Sequence, residues 1–315
     1  MKRHQRPLVR QRSGFSLVEL LLSLFIALVV ISSATAFTVS SWQARRNWTI
    51  RETVDRSARF VGMALARDAQ EAGVALESSP VFASVDARGD TLSILYVPYE
   101  PDEALVHPIW DDGDEDPFYP ALGNCGNYCF RFNRNGGEYD VAPGDIALLQ
   151  VGSERRLWYL TSVQSDGASR FRVVLQQRDR MLGRPAGLSD SIRLPRSGAT
   201  LQKLRATVYW RDADTETLYR AQEFDASGNP VGVAIADNVE VFNVRLQFMN
   251  GSEGSYYNGL DADTTNDGNR IMGVRVEAVI RSDQTDPAVN NGLPVRRSYE
   301  WRVSPRNLLY EKNRQ

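Results

Sequence analysis

The sequence predicts an α+β protein: one long N-terminal α-helix, apolar in its first half and amphipathic in its second, packed on an antiparallel β-rich C-terminal domain. Three observations predict it. No charged residue occurs from Leu20 to Ala44, apolar residues after Ile50 recur at helical spacing, and beyond Ala75 short alternating runs are bounded by Gly, Pro, Asp and Asn. In chain order the expected parts are residues 1–14, a basic leader; 15–73, the helix, with a membrane-spanning segment over 17–39; and 74–315, an exported β-rich globular domain.

Lys2, Arg3, Arg6, Arg10 and Arg12 give the leader five positive charges and no acid. The full chain carries a formal charge of -2; without those five residues 32 basic groups face 39 acidic ones, a net of -7. An acidic body gives no general reason to bind nucleic acid, and none is expected as a partner. The run that follows the leader is long enough to cross a bilayer as a helix of about 20 residues. Basic residues before it put the N-terminus in the cytoplasm and the rest of the chain outside, a single membrane pass. Glu19 sits just inside this segment, where a carboxylate at the bilayer centre would cost about 2–3 kcal/mol, so it needs either a positive partner or the wet interface.

Gly14-Phe15-Ser16-Leu17-Val18-Glu19-Leu20, behind a short basic leader and before the apolar run, resembles the N-terminal signature of type IV prepilins and type II secretion pseudopilins. The resemblance implies that prepilin peptidase cuts between Gly14 and Phe15, that Phe15 is then N-methylated, and that Glu19 pairs with the N-terminal amine of a neighbouring subunit. It further implies docking of the helix beside other minor pilins and the major pilin, an inner-membrane assembly platform, and a final place in a cell-surface pilus or periplasmic pseudopilus. Major pilins of this kind commonly carry proline where this chain has Ala36, and the chain is about twice their usual size; both point to a minor subunit. A rival reading uses Ala34-Thr35-Ala36 as an ordinary signal-peptidase site, releasing a soluble binding protein or enzyme that begins at Phe37.

Ile50, Val54, Ala58, Val61, Leu65, Ala69 and Ala72 follow at spacings of three and four, one face of a helix, with Arg51, Glu52, Asp55, Arg56, Arg59, Arg67 and Asp68 expected on the others. No proline occurs from Phe15 to Ser79, and Gly73 is the expected stop. The small apolar residues suit close packing on a sheet; a coiled coil is the alternative.

Nine strands are expected, at 91–97, 145–151, 157–163, 171–176, 200–210, 217–224, 239–249, 272–280 and 297–303, which is many for one sheet and suggests two. Leu201 to Trp210, Leu218-Tyr219-Arg220 and Ile235 to Phe242 are similar in order to the strands of PilW-type minor pilins and the related J-type pseudopilins. That likeness implies a subunit of the complex that initiates assembly, at or near the filament tip.

Cys125 and Cys129 lie in Cys-Gly-Asn-Tyr-Cys, and export to an oxidising compartment makes a short-loop disulfide the leading expectation. Two acidic loops invite calcium. Asp112, Asp114 and Asp116 alternate as calcium ligands do, but Pro117 replaces the turn glycine. In the second loop Asp263, Thr265 and Asp267 precede Gly268 with suitable spacing, yet Val274 stands where a closing glutamate belongs, and a solvated acidic turn is the alternative. No other cofactor is expected. The only histidines are His4 and His107, and no P-loop, dinucleotide fingerprint or nucleophile elbow is present, so no catalytic residues are expected. Trp110, Trp158, Trp210 and Trp301 are expected in core or interface.

Overall fold

The computed structural model describes residues 16–98, 106–108, 129–133, 142–152, 154–165, 170–176, 199–225, 228–287, 289–305 and 307–308. Helix α1 (Leu17–Glu71) runs unbroken for 55 residues, about 83 Å at 1.5 Å per residue. Ser16 caps its start, the side-chain oxygen accepting from Val18 N at 3.2 Å. It ends where Ala72 leaves helical geometry and Gly73 takes φ 74, a left-handed conformation that suits glycine. The freed carbonyl of Ala72 accepts from Asn307 Nδ2 at 3.0 Å, and Gly73 N–H donates to Leu95 O at 3.0 Å.

All seven expected apolar positions of the second half are buried, from Ile50 to Ala72. Burying each larger one, such as Val61 or Leu65, stabilises by about 1.5–3 kcal/mol. The partner is a pair of sheets, which settles the choice between coiled coil and sheet packing. Asp68 departs from expectation. It is not on a solvated face but 1% exposed, because it lies three residues after Leu65 and beside Ala69, within the packing stripe.

Among the described residues two sheets form, every strand pair antiparallel. The larger holds β1 (Val85–Arg88), β2 (Thr91–Tyr96), β3 (Val106–Pro108), β4 (Cys129–Asn133), β5 (Ile146–Val151), β6 (Glu154–Ser165), β7 (Arg170–Gln176), β8 (Ala199–Asp212), β9 (Thr217–Phe224) and β10 (Pro230–Ala236). The smaller holds β11 (Val239–Phe248), β12 (Glu253–Gly254), β13 (Ile271–Arg281) and β14 (Arg296–Val303), in the order β12-β11-β13-β14. Strand β8 is the spine of the larger sheet: residues 199–204 pair with β5, and residues 205–210 with β2, while β9 takes the other edge from Val208 to Asp212.

All nine expected strands are present. Five further strands were not expected, and each lacks a clear alternation. Strand β1 is four residues with Asp86 and Arg88 in it, β10 opens on Pro230 and contains Gly232, and β3, β4 and β12 are five residues or fewer.

One core joins α1 to both sheets. Val54, Ala58, Val61, Leu65 and Ala69 of the helix meet Leu92, Ile94 and Tyr209 of the larger sheet and Phe242, Val244, Val276 and Ala278 of the smaller. The helix also touches β10 and β14, the last strand on one side of each sheet, and so closes the open side between them. Trp158 is fully buried, whereas Trp210 and Trp301 are half-buried and stack on Tyr219 and Tyr299 at ring separations of 5.4 and 5.9 Å. Trp110 lies outside the described residues.

Candidate functional site: a free apolar helix bolted to the body

From residue 16 to residue 49 no side chain of α1 is buried, although Leu20, Leu24, Phe25, Leu28, Ile31 and Phe37 are among them. This is one helix long and apolar enough to cross a membrane. The hydroxyls within its apolar run are already satisfied. Ser23, Ser32, Ser33, Thr35, Thr38 and Ser40 each donate to a carbonyl three or four residues back, at 2.8–3.0 Å, so none brings an unpaired polar group into hydrocarbon. Ala34-Thr35-Ala36 lies inside this unbroken helix.

Glu19 occupies the first turn, exposed, beside the N–H groups that a helix start leaves unpaired. Among the described residues its carboxylate has no side-chain partner. Gly14 and Phe15 lie outside the described residues.

What the helix does have is a rigid base, built from two matching constellations that sequence reasoning did not find. Asp68 is held by Arg220 of β9 in a two-point ion pair, Nε to Oδ2 at 2.6 Å and Nη2 to Oδ1 at 2.8 Å, and Tyr209 of β8 donates its hydroxyl to Oδ2. Thirteen residues earlier, about 20 Å along the axis, Asp55 meets Arg297 of β14 at 2.6 Å and accepts from the Tyr299 hydroxyl at 2.5 Å. One Asp-Arg-Tyr set fastens the helix to the larger sheet; the other fastens it to the smaller.

The electrostatics agree with that reading. The Tyr299 hydrogen bond, then Arg297, hold the Asp55 carboxyl below its ordinary range against the opposing effect of burial. Tyr299 is pushed up to about 12, first by burial and then by Asp55. Burial, reinforced by Asp68, raises Tyr209 well above an ordinary phenol, so it stays a donor. The bond to Asp68 raises Arg220 despite its own partial burial. Asp55 and Asp68 were legible only as helix charges; the available signal was Asp68 falling in step with Leu65 and Ala69.

Cys129 begins β4, and Cys125 lies outside the described residues, as do Asp112, Asp114 and Asp116. In the second acidic loop Asp263 Oδ1 accepts from both the backbone N–H of Thr265 at 2.9 Å and its hydroxyl at 2.6 Å. Asp267 is 7% exposed and precedes the 3-10 turn Gly268–Arg270; burial, with Asp261 and Asp263 nearby, raises its carboxyl. Among the described residues no three His, Cys, Asp or Glu side chains gather as a metal-holding group. His107 lies on β3.

A family model described as a prokaryotic N-terminal methylation motif matches residues 9–35. No curated protein and no solved structure matches the chain. The matched span contains Gly14, Phe15 and Glu19 and the first turns of α1. The chain thus carries a type IV pilin-like, prepilin-peptidase-type N-terminus, and the exposed apolar helix fits a protein anchored in the inner membrane.

Proposed function

We propose that the chain is a minor pilin of a type IV filament, PilW-like in kind, cut after Gly14 and methylated on Phe15, which helps to initiate assembly at or near the tip. The observation that carries this reading is the pairing of the methylation motif with a helix that leaves residues 16–46 exposed while its other half is fastened to both sheets. A surface so apolar needs a cover: lipid before assembly, then the helices of other minor pilins and of the major pilin. Glu19 and the methylated amine of a neighbour are each costly in an apolar filament core, and become tolerable when subunits dock in register. The unbroken helix through Ala36 and the size of the body favour a minor over a major subunit. The role is structural, with no chemistry of its own.

Glu19→Ala tests it. The variant should still be cleaved but should incorporate poorly into filaments, and normal filament assembly would remove Glu19 from the mechanism. A J-type pseudopilin of a type II secretion system is the second reading, favoured by the same N-terminus and by the strand order over 200–250. Deletion separates the two: loss of surface pili supports the first, and loss of secreted proteins with pili intact supports the second.

A further inference from the structure

The helix carries a cationic collar where it leaves the apolar span. Counting from Leu20, about 20 residues or 30 Å of helix fill the hydrocarbon layer and end near Ser40. Arg45 and Arg46 then lie roughly 7–9 Å further out, the depth of the outer-leaflet phosphates, since headgroups add about 5–7 Å per side. Trp42 and Trp48, each 65% exposed, bracket them as interfacial aromatic residues do. Arg45, Arg46 and Arg51 follow the span on its outer side, against the usual charge bias of membrane proteins, and an anionic partner at this level would offset their charge.

A cleft of about 650 Å³ opens at this level. Trp42, Arg45, Arg46 and Thr49 of the helix form one wall, and the Gln284–Asp286 loop of the body forms the other. Arg46 is half answered there, its Nη1 lying 3.2 Å from Asp286 Oδ2. Arg45 is exposed and has no side-chain partner among the described residues. A guanidinium matches a phosphate in geometry and charge, and an acyl chain below that phosphate would run down the bare face past Val39.

We infer that this collar binds the phosphate of an anionic phospholipid in the outer leaflet of the inner membrane, Arg45 being the principal ligand and Trp42 the flanking wall. The inference rests on the membrane-anchored part of the reading above. Bound lipid sets the depth of the helix and holds the unassembled subunit upright, with its body clear of the bilayer.

The test reconstitutes the full chain in nanodiscs of phosphatidylcholine alone or of an equal mixture with phosphatidylglycerol, then reads the lipid that stays bound by native mass spectrometry after mild detergent stripping. The retained lipid should be enriched in phosphatidylglycerol over the input mixture. Arg45→Gln should cut that enrichment roughly fivefold, the value of one arginine near a charged membrane surface, Arg46→Gln by less, and Arg67→Gln not at all. Retained lipid that simply mirrors the input, or an Arg45→Gln variant indistinguishable from the parent, overturns the inference while leaving membrane anchorage intact. Complete displacement of the lipid by inorganic phosphate would show a site for free anions and overturn it as well. Failure of the chain to enter nanodiscs at all would instead refute the anchorage on which it rests.

Discussion

Replacing Asp68 should loosen the helix from the larger sheet more than any other single change to its charged residues. The side chain is 2% exposed and its partner Arg220 24%, so Asp68→Ala strands a largely desolvated guanidinium and leaves the Tyr209 hydroxyl without its acceptor. Breaking a buried pair on one side costs about 3–5 kcal/mol, and the water that reaches Arg220 lowers the expected figure to roughly 2–4 kcal/mol. The assay is urea unfolding of the chain lacking residues 1–43, whose loss removes most of the bare apolar helix and should give a soluble monomer. Arg220→Met and the double variant complete a cycle. Replacing the whole pair by apolar side chains should recover much of the loss, with a coupling of about 1.5–3 kcal/mol. Helix amides from residue 60 to residue 71 should lose hydrogen-exchange protection in Asp68→Ala before the strands of the smaller sheet do. A loss below about 0.5 kcal/mol, the range of ordinary surface substitutions, would refute the claim that this carboxylate fastens the helix.

Two further substitutions probe the packing. Burial pushes the Asp86 carboxyl up to about 6 even though Arg88 lies 3.2 Å away. The folded state therefore holds a proton that the unfolded state releases near pH 4, and this group's contribution is complete below that pH and lost as pH rises through about 6. The penalty above that window is about 2–3 kcal/mol, so Asp86→Asn should be more stable than the parent at pH 8 and little different at pH 4; a less stable variant at pH 8 contradicts it. Gly62 lies under the Trp301 indole, and an added Cβ would meet Nε1 inside van der Waals contact and sit 3.0 Å from Cδ1. Crowding of that kind costs about 1–3 kcal/mol and exceeds the few tenths gained in helix propensity, so Gly62→Val should lower the urea midpoint; an unchanged or higher midpoint would show that Trp301 moves aside freely.

The helix and its packing face were legible because a long apolar run and a regular three-four spacing each have one structural solution. The same holds for the nine strands, whose alternation shows through. What stayed hidden depends on partners far away in sequence. Nothing near Asp68 announces Tyr209 and Arg220, more than a hundred residues on, and the pairing exists only once β8 and β9 lie beneath the helix. Strand β10 was hidden for a different reason: Pro230 and Gly232 disfavour a strand locally, but Gly232 is what lets the Trp210 ring lie against the backbone. Of the candidate site, Glu19 and its apolar surroundings could be read directly, whereas the Arg45 cleft needs the 284–286 loop, which only the fold delivers.

The anchor, the Glu19 pairing and the filament all depend on where the chain is cut. Mass spectrometry of the mature N-terminus, from membrane and sheared-surface fractions of the native host, tests this most directly. The expected product is a chain beginning at N-methylated Phe15 with Glu19 and the whole apolar helix retained. A free N-terminus at Phe37 would mean that the first half of the helix is discarded, and with it the anchor, the Glu19 pairing and the filament.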